Sequence, residues 1–149
     1  YLDKGAGLGD FTDEAWLQSF AVNTIAPLRL ADALRENVFA STKRVCAFTS
    51  SKMGSISALA GGDAYAYRSS KAALNMAVNC FARDHAGRGV SCLLLHPGWV
   101  RTDMGGEAAD IDVAASITGM RRVVDRAEPA TQDRFNGKYF NYDGAVLPW

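Results

Sequence analysis

Cysteine is scarce in this chain: three residues in 149, at positions 46, 80 and 92. An odd, widely spaced set without a CxxC is neither a disulfide framework nor a zinc site, so no metal is expected. Each cysteine lies in an apolar segment, as small buried hydrophobes of a reducing, cytoplasmic compartment would. Net charge is absent too, with 16 Lys plus Arg against 16 Asp plus Glu. The balance holds in each half, which argues against a nucleic-acid partner and against membrane adsorption by charge. No apolar run approaches the ~20 residues of a membrane span. The first residues, Tyr1-Leu2-Asp3-Lys4-Gly5, lack the basic-then-apolar layout of a signal peptide. Repeats, linkers and low-complexity tracts are also missing.

What is present is the composition of one ordinary globular domain: 48% hydrophobic and 21% charged residues. Three glycines in residues 1–11 indicate a loop. Thr12 is a good N-cap, with Asp13 and Glu14 placed to meet the helix dipole. Trp16, Phe20, Ile25, Leu28, Ala31 and Leu34 then follow helical spacing. Pro27 inside this run removes a backbone donor and predicts a kink or tightening near Asn23. Residues 43–50 and 90–96 are short and apolar, as buried strands are. An alanine-rich helix is predicted over 63–86, closed by Gly87 or Gly89. A loop over 99–110 precedes a helix over 111–125, and a last strand is predicted over 138–142. Helices alternating with continuous apolar strands imply an α/β fold with a parallel sheet covered on both faces.

Tyr67 and Lys71 stand at i and i+4 on one helical face. A phenol ionises near pH ~10, and an ammonium beside it favours the phenolate, so such a pair can exchange a proton with a substrate oxygen. The spacing alone equally fits a lysine stem lying along a packed aromatic. Thr49-Ser50-Ser51 and Pro97-Gly98 lie at the ends of the first and second strands, at the carboxyl edge where parallel sheets place ligands. Ser51 could donate to a carbonyl oxygen or simply stop its strand. Gly98 would let the backbone approach a flat ligand, and Thr102 offers a hydroxyl and an amide. Asn23 is a polar residue in an apolar run, equally consistent with a satisfied buried amide.

Taken together and in this order, Asn23, Ser51, Tyr67, Lys71 and Pro97-Gly98 resemble the short-chain dehydrogenase/reductase family. The segments SSKMGSI, AYRSSKAALN, LHPGWVRTDMGG and NYDGAVLPW are similar to its C-factor-like and carbonyl-reductase branch. The resemblance implies an NAD(P)-dependent oxidoreductase acting on a small carbonyl or alcohol, with NADP favoured over NAD. It implies Tyr67 as general acid and Lys71 as the residue that lowers its pKa and holds the nicotinamide ribose. Ser51 would polarise the carbonyl, with Ser50 the weaker candidate. Asn23 would fix a water linking Lys71 to a proton relay. Pro97, Gly98 and Val100 would line the nicotinamide, and Thr102 would bind its carboxamide or the adjacent phosphate. The gap from Ser51 to Tyr67 exceeds the commonest family spacing, an excess the Gly61-Gly62 loop would absorb. The polar loop from Arg101 to Asp110 would cover the site.

Family members open with a strand and a TGxxxGxG phosphate loop, and the chain shows neither. The resemblance therefore implies that residues 1–149 are the C-terminal half of a doubly wound, Rossmann-type domain, with about 90 residues, three strand–helix units, lying upstream. That half carries the catalytic and substrate side. Two functional classes follow as expectations. One is a fragment of a longer oxidoreductase, with a homodimer as the expected assembly. The other is an inactive remnant or interaction protein lacking the cofactor-binding half.

Overall fold

Helix α1 (Asp13–Phe20) starts where the cap residue dictates. The Ala15 amide donates to Thr12 Oγ1 at 3.2 Å, and Asp13 and Glu14 occupy the first turn. The computed structural model describes Gly7 and residues 9–149, so most of the loop expected over residues 1–11 lies outside the described residues. After α1 the chain widens into one π-helical turn (Ala21–Ile25) and continues as α2 (Ala26–Ala40). Pro27 has no N–H to offer the Asn23 carbonyl, and the Ala26 amide reaches back to the Ala21 oxygen instead. The expected disturbance is therefore a widening rather than a tightening. It brings Asn23 inward, where Nδ2 donates to Ser70 Oγ at 3.0 Å, while Thr24 Oγ1 donates to the Ser70 carbonyl at 2.7 Å.

Three strands follow: β1 (Val45–Thr49), β2 (Ser91–His96) and β3 (Lys138–Asn141). They pair in parallel in the order β1-β2-β3, with Thr49 opposite Leu95 and His96 opposite Asn141. The first strand is shorter than its apolar pattern predicts, because Arg44 adopts a left-handed backbone (φ 50°) and Lys43 turns away to donate to the Asp125 carbonyl. Between β1 and β2 runs α3 (Tyr65–Asp84), entered through a left-handed Ala64. Between β2 and β3 come α4 (Val113–Arg126) and α5 (Gln132–Phe135).

β2 is the central strand, and its residues from Ser91 to Leu95 are all buried. Alternation divides it between two cores. Cys92 and Leu94 pack with Phe48, Leu74, Val78 and Tyr139 beneath α2 and α3. Leu93 and Leu95 pack with Val123, Phe135 and Phe140 beneath α4 and α5. Each leucine removed from water contributes about 1.5–3 kcal/mol, enough to hold helices on both faces. The predicted α/β architecture is thus observed, with covered faces along β2. On the β1 edge strand, Ala47 and Thr49 are exposed.

The sequence pattern predicts no element over residues 126–137. They hold a 3-10 turn (Pro129–Thr131) and α5. The Glu128 amide donates to Thr131 Oγ1 at 3.0 Å, half of a capping box that the E-P-A-T segment could have revealed.

Candidate active site

The carboxyl ends of the strands meet at one edge, and a cavity of about 700 Å³ opens there. Its walls include Ser50, Ser51, Tyr67, Pro97, Gly98, Val100 and Thr102. Seven residues singled out from sequence therefore converge on one space, although they come from three separate chain segments. Lys71 and Asn23 stand behind this wall rather than in it.

Ser51 leaves β1 and caps the 3-10 turn Lys52–Gly54, accepting from the Met53 amide at 3.2 Å. The turn presses on α3 at Lys71: a Cβ on Gly54 would lie 2.7 Å from Lys71 Cβ and 2.8 Å from its backbone carbonyl carbon. That close approach requires glycine. Ser50 is 2% exposed and is tied inward, its hydroxyl donating to Asn75 Oδ1 at 2.6 Å. Asn75 Nδ2 in turn donates to the Gly54 carbonyl at 3.3 Å. Ser50 thus supports the turn, and Ser51 faces the tyrosine.

Tyr67 is 8% exposed. Burial pushes its phenol above the ordinary value, and a side-chain hydrogen bond with Ser51 pulls it back down. The phenol is therefore protonated at neutral pH. Lys71 Nζ lies 5.8 Å from the centre of the Tyr67 ring and donates to the Thr49 carbonyl at 3.1 Å. Burial lowers the Lys71 pKa. In this arrangement the Ser51 bond acts directly on the phenol, and the Lys71 ammonium stands over its ring. Asn23, 4% exposed, reaches this group through Ser70, whose hydroxyl donates to the Tyr67 carbonyl at 2.8 Å.

On the opposite wall, Gly98 has φ +86°, a conformation that favours glycine. A Cβ there would meet Ile111 Cδ1 at 2.6 Å and the Tyr142 ring at 3.0 Å. Its missing side chain thus makes room for the protein's own packing, in addition to the ligand approach expected from sequence. Ser116 Oγ on α4 donates to the Pro97 carbonyl at 2.6 Å and fixes the turn. Thr102 Oγ1 donates to the Val100 carbonyl at 3.3 Å and accepts from the Gly105 amide at 3.1 Å. The loop over 99–110 is tied back by a bridge from Val100 to Ile111. It is less polar toward the cavity than its composition predicts, since Trp99 and Met104 line the wall.

The cavity fits a flat, mostly apolar ring. Pro97, Gly98 and Val100 form an apolar wall facing a buried phenol, and the volume falls in the ~300–1,000 Å³ range of small-molecule sites. Among the described residues, no group of three or more His, Cys, Asp or Glu could hold a metal ion. No helix among them is long and apolar enough to cross a membrane. Two residues of the site lay unmarked in the sequence: Asn75, one turn beyond Lys71 on α3, and His96, which closes β2 and lines the cavity. For Asn75 the signal was an amide in an otherwise apolar helical stripe.

Residues 2–112 match the family described as short chain dehydrogenase. The chain is 42% identical to C-signal of Myxococcus xanthus over 142 residues, which is 95% of this chain and 83% of that protein. Among solved structures, it superimposes along its whole length on the carbonyl reductase Sniffer of D. melanogaster, with a TM-score of 0.91 and 31% identity. An NADPH-bound carbonyl reductase from chicken fatty liver gives a TM-score of 0.89 and 32% identity, again over 100% of this chain. The chain spans 63% and 62% of the lengths of those two structures. These likenesses place the fold among Rossmann-type α/β sheets.

Proposed function

The chain belongs to the short-chain dehydrogenase family, and on that premise we propose that residues 1–149 form the catalytic and substrate side of an NAD(P)-dependent oxidoreductase. The reaction is the interconversion of a small carbonyl compound and its secondary alcohol. The observation that carries this reading is the buried, protonated Tyr67 held against Ser51 inside the cavity that Pro97, Gly98, Val100 and Thr102 close from the other side.

A nicotinamide dinucleotide, when bound, supplies or accepts the hydride. Pro97, Gly98 and Val100 offer its ring an apolar wall, and Thr102 offers a hydroxyl and an amide at the end of that wall. NADPH is favoured as cofactor, since the chicken carbonyl reductase to which the chain is similar is NADPH-bound. Ser51 donates to the substrate carbonyl oxygen and holds it beside the Tyr67 hydroxyl. Tyr67 keeps its proton at neutral pH and releases it to that oxygen as negative charge develops there, returning to the phenol form in the reverse direction. Lys71, anchored by the Thr49 carbonyl, places a positive charge over the ring and stabilises the phenolate left behind. Asn23 fixes α3 through Ser70 and so sets the height of Tyr67 and Lys71 along the cavity.

The test is NADPH oxidation with a simple ketone. Tyr67→Phe removes the proton donor and leaves the packing intact, so turnover falls at least ~10²-fold, the scale of general acid catalysis, with an unchanged melting transition. Near-normal turnover in the variant removes Tyr67 from the role.

Leu17 on α1, Leu30 and Leu34 on α2 and Met76 on α3 are exposed. These residues support a homodimer formed through the three helices, and a monomer in sedimentation at micromolar concentration overturns it. All three cysteines are free thiols, which suits the cytoplasm.

A further inference from the structure

His96 is a half-buried titratable group that the proposed chemistry does not use. It is the last residue of β2 and follows Cys92 and Leu94 in the alternation, so it projects to the α3 side of the sheet, the side that carries Tyr67. The ladder runs one step past Thr49, where the Ser50 amide donates to the Leu95 carbonyl at 2.8 Å. Ser50 therefore flanks His96 on one side, as Asn141 does on the other. The imidazole forms part of the cavity wall.

Among the described residues, no protein group hydrogen-bonds to either ring nitrogen of His96, and Nδ1 is fully buried. A neutral imidazole carries one N–H and one lone pair. A buried N–H without an acceptor is rarer in proteins than an acceptor used below capacity. The lone pair therefore belongs on the enclosed Nδ1 and the proton on Nε2. Burial and the positive charge of Lys52 both disfavour the imidazolium, and lower the pKa to about 4. At neutral pH the cavity wall thus presents a neutral N–H donor close to Ser50–Ser51 and Tyr67, with no acceptor supplied by the protein.

We propose that His96 is a substrate-orienting residue whose Nε2–H donates to an oxygen on the carbon next to the reacting carbonyl, so that the site selects α-oxygenated carbonyl compounds over simple ketones. The proposal rests on the oxidoreductase reading above and deepens it by naming the substrate class. Its physical basis is that a site built with a fixed donor disfavours a ligand that leaves the donor unmet. Hydroxyacetone and 2-butanone make the comparison clean, because they differ by a hydroxyl in place of a methyl group.

Two measurements decide it. The first is ¹⁵N NMR of the histidine side chains, with His85→Gln separating the chain's two histidines. The expected pattern at pH 7 is a protonated Nε2 and a bare Nδ1, with Nε2 shifting on addition of hydroxyacetone in the presence of NADP but not with 2-butanone. A protonated Nδ1, a charged ring at pH 7, or equal responses to the two ketones overturns the proposal. This readout needs no turnover, so it stands even if the protein reduces neither ketone, an outcome that would instead overturn the oxidoreductase reading. The second is the ratio of kcat/KM for hydroxyacetone over 2-butanone. His96→Phe lowers that ratio by about 3- to 10-fold, the worth of one neutral hydrogen bond, and His96→Gln, which keeps a donor, lowers it less. Equal losses on both ketones reduce His96 to a packing residue and overturn the proposal.

Discussion

Replacing His96 by glutamine should change how the protein responds to acid more than how it behaves at neutral pH. In the folded chain the imidazole pKa is lowered to about 4, by burial first and by the Lys52 charge second. In the unfolded chain the same ring titrates near 6.5. Below that value the unfolded chain takes up a proton that the folded chain refuses, so acid favours unfolding. The neutral-ring advantage is complete above about pH 6.5 and is lost progressively as pH falls toward 4. Between pH 7 and pH 4.5 the two titration curves differ by enough to remove about 2 kcal/mol of stability. Carboxylates protonate over part of the same range in both proteins, so only the difference between them isolates the histidine. Urea unfolding at the two pH values gives it. The wild type should lose about 2 kcal/mol more than His96→Gln on acidification. Lys52→Met, which removes the second cause, should narrow the gap by a fraction of that amount. Parallel losses in wild type and His96→Gln, or a His96 titration near pH 6.5 in the folded protein, would refute the account of a desolvated ring.

Two further substitutions probe the frame around the candidate site. Gly54→Ala places a methyl group 2.7 Å from Lys71 Cβ, so the 3-10 turn and α3 must part. A loss of about 1–3 kcal/mol is expected in thermal or urea unfolding, together with reduced turnover because Ser51 and Lys71 shift relative to each other. Asn75→Leu leaves the Ser50 hydroxyl and the Gly54 carbonyl without their side-chain partner in a buried site. It should cost about 1–3 kcal/mol by urea unfolding, and an unchanged midpoint would show that this amide does not organise the serine edge.

The legible parts of the fold are those where local chemistry and tertiary demand agree. Thr12, the apolar run closing at His96, and the spacing of Tyr67 and Lys71 each announce an element that the sheet then uses in place. The less legible parts are those where a side chain's neighbour is far away in sequence. Pro27 signals a disturbance, but whether the helix tightens or widens depends on Ser70, 47 residues beyond Asn23, which the widened turn reaches. Gly98 signals a special backbone, but the groups that occupy its missing side chain's space, Ile111 and Tyr142, are invisible to local patterns. Arg44 delays the start of β1 through a left-handed backbone that no propensity predicts. The same division runs through the site. The residue types and order identify Asn23, Ser51, Tyr67 and Lys71 through their resemblance to a family, yet their division of labour is set by burial and distance. The direction of the Tyr67 shift, the Thr49 anchor of Lys71 and the inward bond of Ser50 follow from the packing of α3 on β1. His96 illustrates the point most sharply. In the sequence it is one more residue at the end of an apolar strand, and only the pairing of that strand with Ser50 and Asn141 turns it into a neutral donor on the wall of a cavity.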